Sequence, residues 1–187
     1  MNQRFVFTLL PLSGLLLIQR IRMGDARGYL ERLFCARDLA EAGWDNPIAQ
    51  INQTYTAKSG TVRGMHFQYP PYAEKKLVMC MQGSVYDVAV DIRKGSPTFL
   101  QWHGEVLCAE FSNALLIPEG FAHGFQTLSP DVEMLYFHSD FHAPEYEAGI
   151  HANDPAIHIR WPHEIVEMSE RDKTHPLITP PFEGVVI

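Results

Sequence analysis

The stretch Ser84-Val85-Tyr86-Asp87-Val88-Ala89-Val90-Asp91-Ile92 decides how this chain folds. Tyr86, Val88, Val90 and Ile92 alternate with Val85, Asp87, Ala89 and Asp91, and a period of two puts each set on its own face of a β-strand. Just upstream, Leu77 to Met81 is a second apolar run, and Gln82-Gly83 between the two reads as a hairpin turn. Arg93-Lys94-Gly95-Ser96-Pro97 breaks the chain on the other side. Further strands are predicted over Phe99 to Cys108, Ala114 to Ile117, Gly124 to Leu128 and Val132 to Phe141. Short strands punctuated by frequent turn signals predict an all-β sandwich or jelly roll. Helix signals are confined to Ala36 to Gly43 and Ser169 to Lys173. The segment after Ala143, rich in Pro, Asp and His, reads as irregular chain wrapped over the barrel. Neither a repeat nor a second domain interrupts this pattern, so residues 1–187 are expected to form a single domain.

Composition narrows the function classes. A chain of 187 residues can bury a full core, and 46% hydrophobic residues suit a soluble globular protein. A net charge of -7 argues against a general nucleic-acid binder, which needs clustered Lys and Arg to neutralise phosphates. Cys35, Cys80 and Cys108 are few, odd in number and far apart, so neither a disulfide framework nor a structural zinc site is expected, and a reducing compartment fits. Phe5 to Ile18 is apolar after Arg4, like the core of a signal peptide. Pro11, Ser13 and Gly14 interrupt it, so it reads instead as two strands joined at Pro11-Leu12-Ser13-Gly14. No later stretch has the length of a transmembrane helix. A cytoplasmic protein without membrane partners is expected.

Two segments carry the chemistry: Arg63-Gly64-Met65-His66-Phe67-Gln68 and Ile117-Pro118-Glu119-Gly120-Phe121-Ala122-His123-Gly124-Phe125. Each sets a histidine in an apolar strand beside glycine, where an imidazole can serve as base or ligand near neutral pH. Pro118-x-Gly120-x-x-His123 matches the second signature of the cupin barrels. The first signature needs His-x-His and a close Glu, whereas here Gln68 stands at the second histidine and Glu74 comes late. A metal set of His66, Glu74 and His123 can be drawn only with poor spacing, so a metal-dependent cupin enzyme remains the alternative. The surroundings of His66 suit acid–base chemistry on an anionic substrate. Arg63 has the wrong strand parity to share a face with His66, but a bulge at Gly64 would correct it, and its planar fork suits phosphate. Lys76 opens the next strand and can face an oxyanion, and Tyr136 offers a phenolic proton.

Taken together, ten blocks resemble the dTDP-4-dehydrorhamnose 3,5-epimerase family, metal-free cupin-fold enzymes acting on nucleotide-linked 4-keto-6-deoxy sugars. They begin with Gly24 to Gly28, Gly60 to Gln68 and Lys76 to Val78, and continue with Asp87 to Arg93, Gly95 to Phe99 and Ile117 to Phe125. Leu135-Tyr136, Asn153 to Pro155, Trp161-Pro162 and Ser169 to Asp172 complete a match running from about Pro11 to Leu177. The resemblance implies a cupin-type jelly-roll barrel and no cofactor or metal. It implies His66 as the base that removes the proton alpha to the C4 ketone, with Asp172 as its partner. By the same resemblance Lys76 stabilises the enolate, and Tyr136 returns a proton from the opposite face. Arg63 and Arg27 look like diphosphate contacts, Gln50 and Asn52 like nucleotide or sugar contacts, and His123 like a substrate hydroxyl or phosphate contact. In the family the first strands cross to a partner, so a homodimer with N-terminal strand exchange is implied, Arg27 serving the neighbour's site. Four positions depart from the family's usual pattern: Glu31-Arg32 after Arg27-Gly28, His142, Phe137 and Met79. All four are expected toward the nucleotide or its pocket. A non-catalytic sugar-nucleotide binder is the other class, and its mark would be loss of the His or Tyr retained here.

Overall fold

The computed structural model describes residues 3–187. A six-stranded antiparallel sheet contains Phe5–Leu9 (β1), Leu16–Arg20 (β2), Gln50–Thr56 (β5), Lys76–Gln82 (β7), Asn113–Ile117 (β10) and Val132–His138 (β12). Its order is β1-β2-β10-β7-β12-β5. A five-stranded sheet contains Val62–Gln68 (β6), Ser84–Asp91 (β8), Trp102–Cys108 (β9), Phe121–Thr127 (β11) and Glu147–Gly149 (β13), in the order β13-β6-β11-β8-β9. Met23–Asp25 (β3) and Gly28–Leu30 (β4) pair only with each other, as an exposed hairpin. Two short helices, Ala36–Ala40 (α1) and Glu170–Lys173 (α2), complete the regular elements. The chain is the cupin-type jelly roll that the sequence implies.

Residues 5–20 form the expected hairpin, with Leu9 opposite Leu16. Between them Leu12 and Leu15 turn inward and are buried, which explains the apolar character of this segment without any membrane role. Among the described residues no helix is long and apolar enough to cross a membrane. All three cysteines are free.

One expectation fails. The chain between β7 and β8 does not close a hairpin; the two strands belong to different sheets. β7 pairs with β10 and β12, whereas β8 pairs with β9 and β11. Gly83, at φ +76°, turns the chain from one sheet to the other. Both strands are covered on both faces, and a single hairpin offers cover for one only. The same Gly that permits a tight reversal also permits this corner.

The two faces of β8 show how the layers are built. Val85 and Ala89 point into the barrel beside Leu12, Leu115, Phe121 and Met134. Val88, Val90 and Ile92 point outward and are covered by the C-terminal segment through Ile150, Ile157 and Val185, with Trp161 and Phe182 alongside. Each fully buried Val or Ile contributes about 1.5–3 kcal/mol of transfer free energy, so both faces need cover. The irregular chain after Ala143 supplies it. On the opposite side, Leu39 and Trp44, with Phe34, cover the outer face of the six-stranded sheet at Leu77, Met79 and Phe137.

Candidate active site

Along the inward faces, apolar residues give way to polar ones at one end of the barrel. On β12, Val132 and Met134 join the interior core, and Tyr136 and His138 follow in the same parity. On β7, Cys80 and Val78 give way to Lys76. Neighbouring β5 adds Thr54, Asn52 and Gln50, which stand opposite Met134, Tyr136 and His138 in the pairing. These side chains form one wall of a cavity of about 490 Å³. The other sheet supplies the facing wall through Arg63, His66 and Gln68 of β6 and His123 and Phe125 of β11.

Arg63 and His66 share that wall because the expected bulge is present. His123 pairs with His66 and Phe125 with Arg63, so three steps on β6 match two on β11. Gly64 absorbs the extra residue at φ +127°, and a Cβ there would lie 2.5 Å from the Gly124 Cα. Two glycines back to back therefore allow the strand distortion that turns both side chains into one cavity.

His66 is held from behind. Its Nε2 lies 2.7 Å from Asp172 Oδ1, across 106 residues of sequence. Asp172 is the buried residue of α2, whose N-cap Ser169 accepts from the Asp172 amide at 3.0 Å. Residues 166 and 167 are bound to 60 and 62 through the backbone, which lays this segment against β6. The Gly64 amide donates to Asp172 Oδ2 at 3.2 Å. Burial alone raises the Asp172 carboxyl, but the hydrogen bond and charge of His66, joined by Gly64 and Ser169, outweigh it and hold the group at about 2. An ionised carboxylate accepts, so this bond puts the His66 proton on Nε2, and in the neutral ring Nδ1 is then the acceptor. Arg171 Nη2 stands 3.0 Å from the same Nε2 while Nη1 pairs with Glu147 at 2.9 Å. Behind the dyad, the His175 ring meets His66 edge-on at 5.5 Å.

Five other members of the sequence-derived set, Tyr136, Lys76, His123, Gln50 and Asn52, face the same cavity. Tyr136 is buried, its hydroxyl 3.2 Å from Thr54 Oγ1, and burial raises its phenol well above the ordinary value. It therefore keeps its proton at neutral pH. Lys76 Nζ lies 3.2 Å from Glu74 Oε1, and Glu74 Oε2 meets His138 Nδ1 at 2.7 Å. Burial disfavours the Glu74 charge, but Lys76 and His138 overcome this and keep the carboxyl below its usual range. His123 Nε2 lies 2.9 Å from both oxygens of buried Asp87. Gln50 accepts from the His142 amide at 2.8 Å, and Asn52 Nδ2 lies 3.3 Å from His138 Nε2.

Several expectations are corrected by this geometry. His66, Glu74 and His123 do not converge as a ligand set; each has its own partner, Asp172, the Lys76–His138 pair and Asp87 respectively. Met79 and Phe137 do not approach the pocket, because their parity turns them outward under Phe34 and Trp44. Glu31 is buried against Arg20 at 3.3 Å and Arg22 at 3.4 Å, anchoring the chain that leaves the β3–β4 hairpin. Of the four departures only His142 lines the cavity. Arg27 lies at the exposed tip of that hairpin, paired with Asp25 at 2.6 Å and outside the cavity of its own chain.

Asp87, His138, Glu147, Arg171 and His175 were not singled out from the sequence. A signal existed for Asp87: it shares a strand face with Val85 and Ala89, and an inward carboxylate requires a buried partner.

Residues 9–179 match the family model described as dTDP-4-dehydrorhamnose 3,5-epimerase. A protein of that name from Salmonella typhimurium is 43% identical over 169 residues, covering 89% of this chain and 92% of the relative. The crystal structure of a dTDP-4-dehydrorhamnose 3,5-epimerase from Bacillus anthracis, with TDP and PPi bound, matches with a TM-score of 0.90 at 37% identity. That match covers 93% of this chain and 99% of the other. A 3,5-epimerase from Legionella pneumophila, in complex with dTDP-4-keto-L-rhamnose, matches with a TM-score of 0.88 at 38% identity, covering 92% of each chain.

Proposed function

The chain belongs to the dTDP-4-dehydrorhamnose 3,5-epimerase family, and we propose how its cavity carries out the epimerisation of a nucleotide-linked 4-keto sugar that this membership assigns to it. The substrate is of the dTDP-4-dehydro-6-deoxy-D-glucose type, and inversion at C3, C5 or both leads toward dTDP-4-dehydro-L-rhamnose. The reading rests on one observation: a carboxylate-backed histidine and a protonated tyrosine come from facing sheets and stand on opposite walls of one cavity.

His66 Nδ1 takes the proton from carbon, and the bonding pair moves into an enolate whose negative charge gathers on the C4 oxygen. Lys76 faces that charge, and Asp172 stabilises the imidazolium. The Tyr136 hydroxyl then protonates the carbon from the other side, the ketone reforms, and solvent restores both side chains. Because the C4 ketone acidifies the hydrogens on both neighbouring carbons, one set of groups serves C3 and C5 in turn. Arg63 binds the diphosphate, Gln50 and Asn52 contact nucleotide or sugar, and His123, fixed by Asp87, contacts a substrate hydroxyl or phosphate. Arg27, remote from its own cavity on the exposed hairpin, completes the site of a second copy in a homodimer with exchanged N-terminal strands. A cytoplasmic location is part of this proposal, and three free cysteines suit its reducing conditions.

The test is isotopic. In heavy water His66→Asn should abolish deuterium uptake at both carbons while nucleotide-sugar binding persists through Arg63. Uptake at the unmutated rate would refute the assignment of the base.

A further inference from the structure

We propose that His66, Asp172 and His175 form a binding site for a divalent transition metal of the zinc class, and that the bound ion takes the base out of service. His66 Nε2, Asp172 Oδ1 and His175 Nε2 all lie within 4.8 Å of one another. The carboxylate oxygen is 2.7 Å from the first nitrogen and 3.6 Å from the second. Zinc holds N and O ligands at about 2.0–2.2 Å, which places ligand atoms about 3.3–3.5 Å apart around a tetrahedron. Side-chain adjustments on the order of 1 Å meet that geometry, and a water completes it as in open, three-ligand sites. Two imidazoles and one carboxylate form a donor set suited to zinc, cobalt or iron rather than to magnesium or calcium.

His175 is the observation that separates this cluster from an ordinary catalytic dyad. Its Nε2 is buried without a hydrogen-bond partner, an arrangement that native structures rarely leave unexplained. The ring sits where a Cβ on residue 149 would lie 2.3 Å from that nitrogen, so only glycine there leaves room for it. The opposing charge is Arg171, whose guanidinium reaches within 3.0 Å of His66 Nε2. It repels an incoming cation, and it must leave for an ion to enter. Its side chain is 54% exposed and anchored by Glu147, so it can swing into solvent.

The inhibitory consequence follows from proton placement and rests on His66 being the base; the binding itself does not. An ion on Nε2 displaces the proton that Nε2 donates to Asp172. The proton moves to Nδ1, the ring stays neutral, and no lone pair faces the substrate.

Cobalt(II) is the probe. Titrated into the full chain, it should bind at one equivalent, give the visible absorption of a tetrahedral N/O site and be displaced by zinc. On the unmutated protein it should shift the ring protons of two histidines far outside the normal proton range. His175→Gln should weaken binding by more than the roughly 10–100-fold typical of losing an outer-shell partner, and Arg171→Gln should tighten it. Zinc should lower kcat of the unmutated enzyme, reversibly on adding a chelator, while His175→Gln keeps its turnover at the same zinc concentration. Failure of cobalt to saturate the protein would overturn the proposal, as would equal affinity in the unmutated, His175→Gln and Asp172→Asn proteins. Binding at these residues with deuterium exchange undiminished would overturn the inhibitory half, and with it His66 as the base, while leaving the metal site standing.

Discussion

Replacing Asp172 by Asn probes the centre of the mechanism, and the structure sets the size of the effect. Despite burial, which raises it, the Asp172 carboxyl is brought from an ordinary 3.8 to about 2, chiefly by His66 and then by Gly64 and Ser169. At about 1.36 kcal/mol per pKa unit, that gap is on the order of 2 kcal/mol. The imidazolium that forms when His66 takes the proton from the sugar faces this carboxylate, whose charge stabilises it. Asn keeps the shape and removes the charge, so the barrier to proton removal should rise by about 2 kcal/mol and kcat should fall about 30–60-fold. The orientation of the amide matters. If Asn presents Nδ2 to His66, the ring is driven into the tautomer with Nδ1 protonated, and the loss grows to about 10⁴-fold, as in a triad with the wrong tautomer. The alternative turns Nδ2 toward the Gly64 amide, a second donor 3.2 Å away. That contact is longer than the 2.7 Å bond to His66, so relieving it costs less and the smaller loss is expected. The assay is deuterium uptake at C3 and C5 at saturating substrate, followed by proton NMR. KM should hardly move, because Asp172 does not line the cavity. A kcat within about threefold of the unmutated enzyme, well short of the 2 kcal/mol expected, would show that the carboxylate does not serve the base.

Tyr136→Phe removes the donor but leaves base and oxyanion contact, so NMR should find deuterated, uninverted sugar in excess over inverted product; equal losses of exchange and inversion would remove Tyr136 from the acid role. Arg63→Gln should raise KM by about 10–100-fold, the value of a hydrogen bond to a charged group, with kcat nearly retained; a fall in kcat alone would refute a pure binding role. Gly64→Ala forces a Cβ against the Gly124 backbone and should cost both thermal stability and activity, whereas a variant with unchanged melting and rate would show that the bulge does not need glycine. Asp91 is fully buried, and although burial opposes its charge, Arg93, Ser96 and Thr98 hold it at about 2. Its folded value, like that of Asp172, lies below the ordinary 3.8. The associated stability is complete above that pH and is lost as pH falls toward 2. Melting temperature should drop through this window, and Asp91→Asn should flatten part of the fall; an unchanged slope would remove Asp91 from the acid response.

What the sequence revealed and what it hid divide along the range of the interactions. Alternation in residues 84–92, the interruption at Pro11 to Gly14 and the helix signal over Ser169 to Lys173 are local, and each element appears where they place it. The bulge at Gly64 was legible because two side chains needed on one wall had the wrong parity and a glycine lay between them. The corner at Gly83 was not, since glycine alone does not distinguish a reversal within a sheet from a crossing between sheets. Nor were the pairings His123–Asp87 and His138–Glu74, which span 36 and 64 residues and exist only once the strand order is fixed. Met79 and Phe137 were expected near the nucleotide from the family resemblance alone, although strand parity already set them opposite Lys76 and Tyr136.

The C-terminal wrap has a bearing on the life of the molecule as well as on its packing. It covers the five-stranded sheet and also delivers Asp172 to His66 from the far end of the chain. During synthesis the strands of both walls emerge before the residues that complete the dyad. A nascent barrel therefore lacks the carboxylate partner of its base until its tail has docked. Damage to the tail, by a protease or by a substitution at Ile157 or Trp161, removes cover from the sheet and support from the base together. Activity thus reports on the docking of the tail, and a copy without it lacks the carboxylate behind its base.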